Sequence, residues 1–374
     1  MSERETNTRS SYSTKNTGYF GDRIELNGIS YQKVEDLRYG TNPHQTAAYY
    51  KPVGILSPIG DMEILKSGKS GLSQTNLEDI SYALNIVKFF DEPACAVMKH
   101  VNPSGAAVSI NNEKAKDVYI KARDCDPRAA FGSVIGFNCN IDSDAAEEIM
   151  NIFVECVAAP YFTADAIKVF NDSKRFQKNA GIRIIKCGSI SALPKFVGES
   201  KSYHRTIKIL TDGSLVIADP LLTNIKSIND IRPATAESSK TGKVKSEIAP
   251  TKKQLNDLLA AWYVNINVRS NGIVIFKNGQ TLSVGTGEQD RIGATEQAIM
   301  KYHQKYRGKE TIENAVMASD GFFPFPDAVE IAAKVGIKAI IAPVGSLRDA
   351  EVIIRANELK VALLHAPERV FSHH

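Results

Sequence analysis

Ala94-Cys95-Ala96-Val97-Met98-Lys99-His100-Val101-Asn102-Pro103 is the stretch from which the chain is read. Its first five residues are small or apolar and suit a short buried strand. The apolarity stops at Lys99-His100, and Asn102-Pro103 predicts a turn. A cation and an imidazole therefore stand where a strand leaves the core, the edge at which α/β folds open ligand crevices. A neighbouring ammonium favours the neutral, basic form of an imidazole. Taken alone, the pair fits a surface lysine and a capped histidine better than a site, because such pairs mark sites only statistically.

Upstream, Asn76 reads as the cap of a helix with Leu77, Ile80, Leu84 and Val87 on one face. Downstream, the pattern predicts a helix over 113–123, a loop over 126–132 and an apolar strand over 133–137. Asp142-Ser143 starts a helix with Ala146, Ile149, Phe153 and Cys156 inward, followed by a strand over 182–187. A hairpin over 207–218 turns on Asp212-Gly213. Composition shifts over 233–253, where apolar mass nearly vanishes, and reads as a linker. Thr251 to Gln254 then fits a capping box ahead of Leu255, Leu258, Leu259 and Trp262. Strands over 273–276 and 280–284 flank Asn278-Gly279, a strong hairpin signal. Helices over 293–306, 328–335 and 349–358 alternate with strands over 339–342 and 361–365. The expectation is a layered α/β fold flanked by helices. It comprises a polar, largely disordered tail (1–35), a first α/β unit (36–232), the linker (233–253) and a second α/β unit (254–374). No internal repeat stands out.

The 374 residues are 43% hydrophobic and 24% charged, enough for a sizeable core without staples. Lys and Arg number 46 against 42 Asp and Glu, a net +4. That balance does not predict nucleic-acid binding but is compatible with anionic small substrates. Five cysteines without a C-x-x-C pair read as buried reduced thiols in a cytoplasmic protein. No run suggests a signal peptide or a membrane span. Gly68-Lys69-Ser70 misses the P-loop because position 63 is Glu. Gly285-Thr286-Gly287 does not complete a dinucleotide fingerprint. The H-x-E and P-C-x-x-C pattern of zinc deaminases is also missing. No catalytic metal and no nicotinamide cofactor are expected.

Seven blocks together carry a resemblance. They are Leu37-Arg38-Tyr39-Gly40-Thr41-Asn42-Pro43-His44-Gln45, Lys99-His100-Val101-Asn102-Pro103, the stretch 126–132, Val157-Ala158-Ala159-Pro160, Arg269-Ser270-Asn271-Gly272, Asp320-Gly321-Phe322-Phe323-Pro324-Phe325, and Arg369-Val370-Phe371-Ser372-His373-His374. In this order they resemble the AICAR formyltransferase domain of the bifunctional purine biosynthesis (PurH) family. The resemblance implies two cytidine-deaminase-like α/β/α units in one chain, without zinc, and a homodimer with active sites at its interface. It implies formyl transfer from 10-formyltetrahydrofolate, as co-substrate, to the 5-amino group of AICAR, giving FAICAR. The family's cyclohydrolase domain has no counterpart in the short polar tail, so the transformylase step alone is expected.

The resemblance assigns roles residue by residue. His100 matches the base and Lys99 its neighbour, which orients substrate and serves the leaving side. Asn271 matches an asparagine that donates a hydrogen bond to developing charge; without the match it reads as a turn former before Gly272. Arg38, Arg291 and Arg369 match positions that hold the nucleotide, a task suited to guanidinium forks. Tyr39, Gly132, Glu155 and Phe322 fall beside them on the AICAR side. Pro324 and Phe325 match the wall that receives folate rings, and Arg128 and Ile292 align with further folate positions. Alone, each Arg reads as surface charge, Glu155 as an exposed helix charge, Gly132 as a turn glycine, and Phe322 to Phe325 as core. Departures from the family pattern are Arg269, Gly272, Pro326, the inserted Ser372 and a short segment over 307–315. They bear on the folate side more than the nucleotide side and leave room for a formyltransferase with a non-folate donor; a non-catalytic nucleotide-binding relative is a separate alternative.

Overall fold

The computed structural model describes residues 19–68, 71–238 and 242–373. The stretch 1–18 and Lys69-Ser70 of the P-loop near miss lie outside the described residues. The first described elements are an antiparallel meander, β1 (Arg23–Leu26), β2 (Ile29–Asp36) and β3 (Ala48–Pro52). This corrects the described part of the tail expected over 1–35, from Arg23 onward. Cross-strand pairs Ile24–Tyr31 and Lys33–Tyr50 hold strands that the polar composition concealed.

Next come β4 (Glu63–Lys66) and α1 (Gln74–Val87). The cap of α1 is Ser73, and Asn76 completes a capping box from the third helical position. The hairpin β5 (Ala94–Lys99) and β6 (Asn102–Val108) follows, and the first five residues of β5 are buried as expected. Its turn lies at His100-Val101, two residues before the predicted place, because Lys99 pairs with Asn102. Pro103 is tolerated in β6 because the second neighbour of that strand pairs only at Ala107.

After α2 (Ala115–Arg123), the expected loop over 126–132 contains one helical turn, α3 (Pro127–Ala130), capped by Asp126. The elements β7 (Ser133–Phe137), β8 (Asn140–Ile141), α4 (Ser143–Met150), β9 (Val154–Ala159), β10 (Tyr161–Phe162), α5 (Ala164–Asn171) and β11 (Arg183–Lys186) complete the first half. The helix from Asp142 stops at Met150. Cys156 lies on β9, a short strand buried along nearly its whole length, which periodicity cannot tell from a helix segment. The hairpin β12 (Thr206–Ile209) and β13 (Leu215–Ala218) is as expected.

The linker over 233–253 is corrected too. It holds part of β14 (Arg232–Pro233) and the hairpin β15 (Thr235–Ser238) and β16 (Gly242–Lys245), whose Ala236 and Val244 pack on the core. Then come α6 (Lys252–Asn265), β17 (Ile273–Lys277), β18 (Gln280–Gly285), α7 (Arg291–Lys305), β19 (Val316–Ser319), α8 (Asp327–Lys334), β20 (Ala339–Pro343), α9 (Asp349–Glu358) and β21 (Ala362–Ala366).

Twelve strands form one mixed sheet in the order β14-β21-β20-β19-β17-β18-β6-β5-β7-β9-β11-β4. The halves join where Gln280 of β18 meets Ala107 of β6. Outward from that seam both halves run alike: two antiparallel steps, two parallel steps, then an antiparallel edge strand. The sequence carries the same repeat at one constant separation: Ser73 and Thr251, Leu77 and Leu255, Asp79 and Asp257, Ala83 and Ala261, Lys99 and Lys277. This corrects the reading that no repeat is present. Few identities survive because each buried position accepts any apolar residue of suitable volume. Alternate residues of β5 enter different cores. Ala94, Ala96 and Met98 pack with α1 and α6 in a core shared by both halves. Cys95 and Val97 pack with α2, α4 and α5 on the other face. The second half has its own core there, under α7, α8 and α9.

Candidate functional site

The sheet presents His100 at the turn between β5 and β6. Two-residue hairpin loops of type I′ need positive φ at both central residues, which is why Asn-Gly dominates them. The matching hairpin of the second half has Asn278-Gly279, with φ of 52° and 73°. The first half has His100-Val101, with φ of 53° and 61°. For side chains other than glycine this conformation costs about 1–2 kcal/mol per residue, and for a β-branched valine it is an outlier. The imidazole is exposed.

Two side chains hold the turn. Val101 donates its N–H to Asp79 Oδ1 at 2.7 Å, and Asn102 Nδ2 reaches the His100 carbonyl at 3.3 Å. Asp79 is 4% exposed and faces the charges of Lys99 and Glu155 and, on its own helix, Glu78. Burial pushes its carboxyl up to about 6, against the opposing pull of the Val101 N–H and of Lys99. A carboxyl with a raised folded value keeps its proton in the native state where the unfolded chain has lost it. Its contribution to stability is whole below about pH 3.8 and is lost as pH rises through about 6. Asp79→Asn is therefore expected to gain on the wild type as pH rises over that window, with a constant offset above it. Urea midpoints measured across the window check this.

Lys99 Nζ donates to the Gly132 carbonyl at 2.5 Å, and Gly132 N donates to Phe153 O at 2.7 Å. A Cβ on Gly132 would lie 3.1 Å from Lys99 Nζ and 3.3 Å from the Phe153 ring, at a φ of +72°. Gly132→Ala is expected to cost about 1–2 kcal/mol and to push the ammonium aside. Denaturation midpoints test the cost. Beyond Phe153 lies a cavity of about 320 Å³ lined by Arg38, Tyr39, Asn76, Phe153, Glu155 and Arg183. Glu155 stands on β9, not on a helix, and accepts from Asn76 Nδ2 at 3.0 Å. The Arg38 guanidinium lies 4.9 Å from the Tyr39 ring centroid, and its Nε is buried with no hydrogen-bond partner. An unmatched buried donor is a place for an acceptor.

A second group gathers at the seam. Asn102 Oδ1 accepts from Arg269 N at 3.0 Å and from the Thr286 hydroxyl at 2.7 Å, tying the His100 hairpin to the loop that carries Asn271. Asn271 Nδ2 donates to the Glu288 carbonyl at 2.7 Å, so one of the amide hydrogens expected to face developing charge is already committed. Arg291 forms an ion pair with Asp320, which is fully buried. The other oxygen of Asp320 accepts from the Ser270 hydroxyl and from Gly272 N. Arg369 is exposed and lies over Phe322 at 4.8 Å. Ser270 N donates to Ser372 O at 2.9 Å, so the inserted Ser372 seats the C-terminal segment on this loop. Gly272 is required here: a Cβ would stand 2.7 Å from Asn265 Oδ1.

The folate-side residues are less gathered. Pro324 and Phe325 are exposed, with the Arg348 guanidinium 4.8 Å from the Phe325 ring. Ile292 is half-buried beside Arg291, and Arg128 is exposed on α3 in the other half. Sequence reasoning missed Arg183 and the roles of Asp79, Asn76, Asn102 and Asp320 at the site. Asp79 had a signal: it falls on the inward stripe of α1, where a carboxylate is out of place. Among the described residues no cluster of His, Cys, Asp and Glu could hold a metal ion, and no helix is long and apolar enough to cross a membrane.

A model of the AICARFT/IMPCHase bienzyme family matches residues 6–301. The chain belongs to that family. It is 39% identical to the bifunctional purine biosynthesis protein PurH of Clostridium perfringens, over 93% of this chain and 61% of the relative. The namesake proteins of Acetivibrio thermocellus and Persephonella marina are 39% and 37% identical, each over 92% of this chain and 60% of the relative. The chain thus spans about three fifths of the length of the curated relatives it matches. Membership in the AICARFT/IMPCHase family agrees with the resemblance carried by the seven sequence blocks.

Proposed function

We propose that this chain is an AICAR formyltransferase, moving the formyl group of 10-formyltetrahydrofolate to the 5-amino group of AICAR in purine biosynthesis. The observation that carries this reading is the exposed His100 imidazole on a strained turn, next to a strand end whose Lys99 is aimed at Gly132 beside a cavity with an unmatched arginine donor. The nucleotide phosphate and carboxamide would meet Arg38 in that cavity, with Arg369 and Phe322 closing on the ribotide from the seam. His100 would take the proton as the amine attacks the formyl carbon. Lys99, held in hydrogen-bond contact with neutral carbonyl oxygen, is a cation placed to return a proton to the departing folate nitrogen. The pterin and benzoyl rings would rest on Phe325 and Pro324, near Ile292 and Arg128. No metal takes part in this scheme.

The finer fold reading, two cytidine-deaminase-like units, is supported by the repeated strand order of the two halves. The reading includes a cytoplasmic homodimer with sites at its interface, and the β12–β13 hairpin supports one element of it, a covering partner. Its Ile209, Leu210, Leu215, Val216 and Ile217 are all exposed, and a lone two-stranded ribbon needs a cover. Turnover of AICAR with 10-formyltetrahydrofolate, followed by release of tetrahydrofolate, tests the function. Ribotide binding with no turnover would overturn it in favour of a binding protein, and turnover with formyl phosphate alone would overturn the folate donor.

A further inference from the structure

We propose that Asp79 is a positioning residue for this transfer: by gripping the Val101 amide it holds the His100-Val101 turn in its left-handed form and so places the His100 imidazole. The proposal rests on the reading of His100 as the base. The chain carries its own control in the second half. There Asp257, at the same place on α6, accepts from Asn278 N at 3.0 Å and Gly279 N at 3.1 Å. Asn278-Gly279 needs no such help, because these residues adopt positive φ readily. In the first half the matching carboxylate grips a turn whose residues resist the conformation, and its 2.7 Å bond from the Val101 N–H opposes that resistance, beside the contact from Asn102 to the His100 carbonyl. With the grip removed, Val101 relaxes toward negative φ, and the imidazole one residue away is carried off its line of attack. Neither Asp79 nor Val101 is assigned a contact with substrate; the effect runs through the backbone.

Four variants test it: Asp79→Ala, Asp79→Asn, Val101→Gly and the Asp79→Ala/Val101→Gly double, with Asp257→Ala as the matched control. A misplacement of about 1 Å costs on the order of 10²-fold in rate. Asp79→Ala is expected to lose about that much kcat with KM for AICAR nearly unchanged. Asp79→Asn, which keeps an acceptor oxygen, should retain most of kcat. The double variant should recover at least about tenfold of the loss, because glycine holds the turn without a grip. Asp257→Ala should lower the melting temperature and leave kcat alone. Hydrogen exchange at the Val101 amide gives a reading independent of turnover, and should speed up in Asp79→Ala. Unchanged exchange overturns the grip itself. Faster exchange with undiminished kcat overturns the positioning role, as does a loss that glycine does not repair or one that Asp257→Ala reproduces. If the wild type shows no transfer at all, the functional reading falls while the exchange result still decides the grip.

Discussion

His100→Ala is expected to lower kcat for formyl transfer by about 10²–10⁴-fold, the range that a positioned base contributes, while leaving stability nearly unchanged. The stability half of the statement follows from the fold. The imidazole is exposed and supports no core, and the turn is held through the Val101 N–H and the His100 carbonyl, which alanine keeps. The kinetic half follows from the substrate class, since an amine delocalised into a ring and carboxamide attacks weakly until its proton has somewhere to go. His100→Asn sharpens the test. It installs the residue found at the matching turn of the second half, which tolerates positive φ. That variant should be as stable as the wild type or slightly more so, yet as inactive as the alanine variant. Steady-state rates set beside denaturation midpoints check both. Retention of more than about a tenth of kcat in either variant would remove His100 from the base role.

The parts of this fold that are read from sequence are those ruled by local chemistry. The Thr251 capping box, the Asn278-Gly279 hairpin and the helix Asp349–Glu358 stand as read because cap, turn and periodic stripe each lie within a few residues. Strand β9 escaped because it is buried along nearly its whole length, which erases the alternation. The 233–245 hairpin escaped because its pairing partners supply the stability that its own polar side chains do not. The site was legible as a list and not as an arrangement. Lys99, His100, Arg38 and Glu155 were singled out, but nothing local says that Glu155 is on a strand, or that Asn102 bridges to Arg269. Asp79 was legible in principle, as a charge on an apolar stripe, and its meaning depended on a turn formed later in the chain. Arg291 is the instructive case, because the resemblance sets it against the nucleotide and the structure pairs it with a buried carboxylate.

Asp320→Ala is accordingly expected to destabilise the fold by about 3–5 kcal/mol, the cost of leaving one member of a buried ion pair alone. Arg291 is 8% exposed and Asp320 fully buried, so water cannot make up the loss. The carboxylate also accepts from the Ser270 hydroxyl and from Gly272 N, while Val370 donates to its main-chain carbonyl at 3.1 Å. Its removal therefore loosens the Asn271 loop, while the bond from Val370 to the backbone carbonyl survives in alanine. Asp320→Asn would keep an acceptor for Gly272 but turn a donor or a neutral oxygen toward the guanidinium, so it should fall between alanine and wild type. Pairing Asp320→Leu with Arg291→Met removes both charges. That double variant should regain part of the stability, the remainder being the orphaned Gly272 N–H at about 1–3 kcal/mol, and should regain no activity. Urea midpoints order the four proteins. An Asp320→Ala variant as stable as the wild type would mean that Arg291 swings out of the core at little cost. That freedom is what a phosphate-binding role demands of it, so this one measurement decides whether the guanidinium is a strut of the seam or a hand held out to the nucleotide.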